Sequence, residues 1–414
     1  MVVPSGYKAI VCVNLNGGMD GYNLLVPTDT TTYNKYQSGR GFYATPRANL
    51  LPLAGTNFGL NPGMTNLRRM YAAGNAAMIA NVGTLIKPTN RADWQTGSST
   101  LIPVQLLSHS DQAMQWFNGR PDLSSGIERS GLMGRVADFI KSLNGVLPHT
   151  MQITITPDAN NILPGKSTDY VTIGVNGAAI LAGFGRGNAA EQAKYTAFQT
   201  ILNTSRVNYF DTTYTQLFKE NLGQSDYVKG TLDLSTNFTF PDTDIGRQLK
   251  MVAKLISAAD TSKFNRQCFY VSQRQYDFHN DGPAVLTATL TELDAAIGAF
   301  YDAMASLNAL NKIIAFTTSE FGRTFKPNSS GTDHGWGSNH FAFGAVRAGV
   351  YGTYPDLVLG GNQDAGDEGR WIPTTSVDQY FAPIAKWMGV TDAQLPEVVS
   401  LLKNFPLGAL NFAL

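Results

Sequence analysis

Short runs of uninterrupted apolar residues, each closed by Gly, Asn or Pro, recur along the chain: Lys8–Leu15, Ala76–Val82, Met151–Ile155, Gln267–Ser272, Lys312–Thr318 and His340–Val346. None alternates apolar with polar, which is the pattern of strands covered on both faces. Between them the spacing turns helical. The clearest stripe places Leu286, Leu290, Leu293, Ile297, Phe300, Met304 and Leu307 three and four residues apart, one buried face of a long helix. It sits between the strands at Gln267 and Lys312, which makes a strand–helix–strand unit long enough for a parallel crossover. Shorter helices are predicted at Gly63–Ala73, Ser110–Phe117, Leu132–Leu143, Ile245–Ala258 and Val377–Met388, and one long or broken helix at Ala189–Asn221. Strands alternating with helices predict an α/β fold, doubly wound, with a mostly parallel central sheet and helices on both faces.

The stretch 156–188 breaks this rhythm. It is rich in Gly, Asn and Pro, with one short strand at Tyr170–Gly174, and reads as a loop or cap excursion from a single domain spanning 1–414. No internal repeat is visible, which excludes solenoids and propellers.

Composition narrows the partners. Formal net charge is zero, charged residues are only 15% and no basic block occurs, so nucleic acid is not an expected partner. The polar surface must come from Asn, Thr, Ser, Gln and Gly, a tendency of exported proteins. No run approaches the roughly 18 apolar residues of a membrane span. Met1 leads within a few residues into the first strand with no signal peptide, which suits a processed chain and equally a cytoplasmic one. Cys12 and Cys268 both lie in predicted strands and read as free core thiols.

In an open α/β sheet ligands bind beyond the carboxyl ends of the strands. After the first strand comes NLNGGMDGYN with Asp20; after Gln267–Ser272 comes QRQYDFHND with Asp277 and His279; after Lys312–Thr318 comes SEFGRT with Glu320 and Arg323. GTDHGWGSNH comes next with Asp333, His334 and His340, and LLSHSDQAMQW places Ser108, His109 and Asp111 at a helix start. Each has an ordinary explanation: Asp20 as a turn residue, Ser108 or Ser110 as an N-cap, Glu320 as a helix-start carboxylate, Arg323 as a surface charge. Three carboxylate or imidazole sets nevertheless follow three core strands, which one sheet edge can bring into a single pocket. Asp, Glu and His together are ligands for zinc, manganese or a harder divalent ion. They suit metal-assisted displacement at phosphorus or sulfur, with the helix start adding backbone donors for an anion.

GGMDGYN, SHSDQAMQW, YDFH, SEFGRT and TDHGWGS, in this order, resemble the bacterial proteins grouped as domain of unknown function 1501; TTSVDQYFAPIAKWMGV resembles that family's closing segment. The resemblance implies an alkaline-phosphatase-like fold, within the superfamily that includes the sulfatases, and twin-arginine export to a periplasmic or secreted location. It implies metal ligands at Asp20, Asp277, His279, Glu320 and His334, with Asp333 as ligand or orienter, for one or two ions of zinc, manganese, calcium or magnesium. Two departures stand out. Phe321 occupies the place of a second ligand beside Glu320, for which His109 is the candidate substitute, and no sulfatase-type Cys-x-Pro-x-Arg is present. Ser108 is the candidate nucleophile, with His109 and Ser110 as alternatives, and Arg323 a further candidate catalytic group. The expected activity is hydrolysis or transfer of phosphate or sulfate esters, on a polysaccharide or a small molecule. The alternative is a scaffold that has lost turnover and serves as a secreted binding or assembly protein.

Overall fold

The computed structural model describes residues 3–124, 126–145, 151–157, 161–177, 187–205, 207–259, 263–406 and 408–414. His149, the histidine apart from the motif segments, lies outside them.

The apolar runs pair into one sheet. Its strands are β1 (Lys8–Leu15), β2 (Ala76–Gly83), β3 (Gln152–Thr154), β4 (Tyr170–Thr172), β5 (Arg266–Gln273), β6 (Ile313–Thr318), β7 (Ser338–Gly344), β8 (Gly349–Tyr351) and β9 (Thr375–Ser376). Among the described residues the order is β8-β2-β7-β6-β1-β5-β3-β4, with β9 also on β2. β1 is central and runs parallel to both neighbours, in register Lys8 with Arg266 and Ala9 with Ile313. The sheet is parallel apart from β7, which runs against β2 and β6. β7 starts two residues before the predicted run and stops at Gly344, whose positive φ of 107° turns the chain away. Within the predicted excursion, β4 joins the sheet as its edge strand beside β3.

The predicted two-sided burial is visible in β1. Ala9, Val11, Val13 and Leu15 enter one core, and Ile10 and Cys12 the other. The first core is closed by α2 (Thr65–Ala72), α5 (Asp244–Ser257) and α6 (Pro283–Ser306); the second by α3 (His109–Asn118), α4 (Leu132–Ile140) and α7 (Val377–Met388). Leu286, Leu290, Leu293, Ile297, Phe300 and Met304 of the α6 stripe are fully buried, each contributing about 1.5–3 kcal/mol of apolar burial. Both cysteines are buried and free, and burial pushes the Cys12 thiol up to about 12.

One open reading is resolved and two features are new. Ala189–Asn221 is two helices, Ala189–Asn203 and Tyr209–Asp233, because Asn188 and Asn208 each cap a helix start. An unpredicted helix, α1 (Thr30–Arg40), is capped by Asp29 and buries only Tyr33, Tyr36 and Arg40, too sparse an apolar stripe to read from spacing. Leu25–Pro27, Leu51–Pro52 and Phe58–Leu60 form a small antiparallel sheet from strands too short to show a period. Among the described residues no helix is long and apolar enough to cross a membrane.

Candidate metal centre

The carboxyl ends of β1, β5 and β6 deliver their loops to one place, where the start of α3 and the segment entering β7 meet them. Gly17, just past β1, makes this closeness possible: its φ is +123°, and a Cβ there would lie 2.5 Å from the Asp277 backbone nitrogen. Its N–H donates to Glu320 Oε1 at 2.9 Å, and its carbonyl accepts from Arg323 at 3.3 Å, which ties the β1 and β6 loops together.

Five predicted side chains come together here. His279 Nε2 lies 3.0 Å from His334 Nε2 and 3.0 Å from Asp277 Oδ1. His334 Nε2 is 3.6 Å from the same Asp277 oxygen, and His109 Nε2 is 3.6 Å from Asp277 Oδ2. Asp333 Oδ1 stands 3.9 Å from His279 Nδ1. Two overlapping groups, His109–Asp277–His334 and His279–Asp333–His334, each bring their donor atoms within 4.8 Å of one another.

Hydrogen bonds fix which nitrogens face inward. A carbonyl only accepts, so the 2.9 Å contact of His334 Nδ1 with the Leu107 carbonyl puts the proton on Nδ1 and leaves Nε2 with a lone pair. Burial, aided by the neighbouring His109, Arg323 and His279 charges, lowers the His334 pKa and favours the neutral ring. His109 Nδ1 donates to Glu320 Oε1 at 2.9 Å. That bond is the main cause of a raised His109 pKa, against opposing burial. Burial alone would raise Asp277, but the Arg323 hydrogen bond and charge, with His279 and His109, hold it below the usual carboxylate range. Asp333 is likewise held low, the hydrogen bond from His334 N and the Arg370 charge outweighing burial.

The other predicted residues are placed differently. Asp20 is fully buried and its Oδ2 is ion-paired with Arg40 from α1, which also donates to the Thr324 and Phe325 carbonyls. A guanidinium therefore already compensates the carboxylate expected to hold an ion, and Asp20 is in neither donor group. Glu320 uses Oε1 for Gly17 and His109 and accepts from Ser319 through Oε2 at 3.3 Å, so it orients His109 and stands outside both groups. Arg323 is buried, and its guanidinium bonds to Asp277, Gly17 and twice to Thr332; it holds Asp277 in place and is not open to a substrate. Ser108 occupies the N-cap position of α3, but its hydroxyl makes no cap bond and donates to Asp111 Oδ2 at 2.6 Å. His340 is not at the site: it lies inside β7, fully buried against Trp116, with Nδ1 on the Thr317 hydroxyl. Phe321 packs its ring 4.5 Å from the His334 ring and 4.8 Å from that of His109. Sequence reasoning misses Arg370 and Arg40, since neither stands behind a strand or in a motif.

The donor set fits a divalent cation. Two imidazole nitrogens at 3.0 Å repel unless a proton or an ion lies between them, and ligands 2.0–2.2 Å from a tetrahedral zinc stand roughly 3.3 Å apart. His334 carries its other nitrogen on a carbonyl and His109 its other nitrogen on a carboxylate, the outer contacts that orient metal-binding imidazoles.

Residues 169–366 match the family described as protein of unknown function (DUF1501), an interval that holds Asp277, His279, Glu320, Arg323, Asp333 and His334 and leaves out Asp20, Ser108 and His109. No curated protein matches the chain. Among solved structures, the chain is similar to Ps i-CgsB, at 11% identity over 96% of this chain and 77% of that one, with a TM-score of 0.38. It is similar to the phosphonate monoester hydrolase SpPMH from Silicibacter pomeroyi, at 8% identity over 92% and 73%, with a TM-score of 0.39. It is also similar to the PsFucS1 sulfatase from Pseudoalteromonas sp., at 11% identity over 83% and 64%, with a TM-score of 0.31. The match covers three of the six motifs that resemble DUF1501, YDFH, SEFGRT and TDHGWGS, and residues 169–366 of this chain are similar to that family.

Proposed function

We propose that the chain is a metal-dependent hydrolase or transferase acting on phosphate or sulfate esters. The observation that carries this reading is the meeting of His279 Nε2, His334 Nε2 and Asp277 Oδ1, with the outer nitrogen of His334 fixed by Leu107. One ion fits better than two, because His334 belongs to both donor groups and has one free lone pair. A divalent ion held there supplies Lewis acidity toward an ester oxygen and lowers the pKa of a nucleophilic hydroxyl.

The chain's own groups have separable tasks. His109 is left outside the ligand trio of this reading and, with Nδ1–H on Glu320, keeps Nε2 available to move a proton at the ester. Ser108 stands between Leu107, which holds His334, and His109; Asp111 is placed to take its proton, which makes Ser108 the nucleophile of this reading. Arg323 keeps Asp277 ionised and aimed. The uncapped first turn of α3 offers backbone donors to an anion. The substrate is an anionic ester on a polysaccharide or a small molecule, handled by one domain outside the cytoplasm, as the family resemblance implies.

A second reading, a binding scaffold without turnover, is favoured by Asp20 being committed to Arg40 and by Phe321 lying against both His334 and His109. Elemental analysis of the purified chain, beside Asp277→Ala and His334→Ala, separates the two. Bound zinc, manganese, calcium or magnesium that is lost in both variants supports the centre and directs a screen of phosphate and sulfate esters. No metal after incubation with those ions favours the binding scaffold.

A further inference from the structure

The loop between β8 and β9 carries a device for holding the centre. Asp364 is fully buried, and its carboxylate accepts four backbone N–H groups: Gly360 and Gly369 on Oδ2, at 2.9 and 3.0 Å, and Gly366 and Arg370 on Oδ1, both at 3.1 Å. One carboxylate thus folds the loop onto itself. A charged group with no water around it is stable only with such donors, so this arrangement is costly to disturb.

The product of that folding is the position of Arg370. Its Nε donates to the His334 carbonyl at 2.9 Å and one terminal nitrogen to Asp333 Oδ2 at 3.0 Å, while the other pairs with Glu368 at 2.8 Å. Arg370 therefore grips two adjacent donors from behind. It occupies Asp333 Oδ2 and leaves Oδ1, which accepts from His334 N, 3.9 Å from His279 Nδ1, the ring nitrogen opposite the Nε2 that meets His334. It also fixes the backbone from which the His334 ring reaches the Leu107 carbonyl. A planar fork holds a carbonyl and a carboxylate on separate nitrogens at fixed angles, whereas an ammonium must serve both from one rotatable centre.

We propose that Arg370, set in place by Asp364, is the positioning residue that holds His334 in a single tautomer and rotamer and sets Asp333 against the outer nitrogen of His279. This rests on the metal-centre reading above, so the test carries one readout that needs no metal. With only five histidines in the chain, long-range proton–nitrogen NMR of metal-free protein reports the His334 tautomer directly. Arg370→Gln is expected to turn a single Nδ1–H state into a mixture. In parallel, titration with zinc alone is expected to show a Kd raised about 10- to 100-fold, with Arg370→Lys recovering only part of the loss. If Arg370→Gln does not fold, Arg370→Lys against wild type carries both readouts. An unchanged His334 signal or an unchanged zinc Kd in Arg370→Gln, or full rescue of both by lysine, overturns the proposal. If wild type binds no zinc yet the tautomer shift appears, the positioning role stands and the metal reading falls.

Discussion

Nε2 of His279 and Nε2 of His334 face each other at 3.0 Å, and the Leu107 carbonyl holds the protonated nitrogen of His334 on the far side of its ring. On the metal-centre reading proposed above, an ion takes the place of the proton between them. Zinc at about 100 times its Kd should therefore raise the unfolding free energy by about 2.7 kcal/mol. Urea denaturation with zinc and with a chelator measures the difference, which His334→Ala should abolish. An identical midpoint with and without zinc would count against the centre.

Asp20 and Arg40 are both fully buried and bound to each other. Removing one partner of such a pair strands a charge, so Arg40→Gln should cost about 3–5 kcal/mol, with much of the loss recovered in Asp20→Asn/Arg40→Gln. Denaturant unfolding of the three proteins tests this. If Asp20 is instead a metal ligand, Arg40→Gln will tighten zinc binding, and the structural role assigned to the pair is wrong.

Ser108 donates to Asp111 at 2.6 Å and follows Leu107, whose carbonyl anchors His334. Ser108→Ala should lower ester turnover by a factor on the order of 10³ and leave zinc affinity intact. Turnover retained in that variant would transfer the nucleophile's role to water or to His109.

Two buried groups away from the site give opposite pH dependences. Burial lowers His340 to about 3. The unfolded chain then holds the extra proton between about 6.5 and 3, and this contribution to stability is lost as pH falls through that window. Burial raises Asp378 to about 7, against the hydrogen bonds from Leu401 and Leu402 and the Arg135 charge. Here the folded chain holds the proton between about 4 and 7, so stability falls as pH rises. Asp378→Asn should gain on wild type from pH 4 to 7 and then hold a constant advantage; His340→Gln should gain on wild type as pH falls below about 6.5. Urea unfolding across that range checks both, and a pH-independent difference in either variant defeats its assignment.

Much of the sheet is legible in the sequence because β1, β2, β5 and β6 are continuous apolar runs, a pattern that two covered faces impose. The direction of β7 is not, since an apolar run has the same composition whichever way it points. At the site, Asp277, His279 and His334 stand out as polar residues just past the strand ends. Asp20 meets the same criterion yet pairs with Arg40, because its partner arrives on a mostly polar helix that leaves no periodic trace. His340 lies six residues from His334 in sequence and shares its motif segment, but it already belongs to a strand. Arg370 has no sequence signal at all: its position depends on four amides closing around Asp364, a relationship that exists only after folding.

The reversal of β7 has an evolutionary and engineering meaning. A parallel neighbour would have required the chain to cross back to the opposite end of the strands before re-entering. With β7 turned round, residues 319–337 leave β6 and return at the same end, and the bridge of Arg323 with His334 ties the two limbs together. Glu320, Phe321, Arg323, Asp333 and His334 thus travel as one cassette. Changes in ligand residues within that segment need no rethreading of a crossover, but they must keep the ties of Glu320 and Arg323 to Gly17, His109 and Asp277.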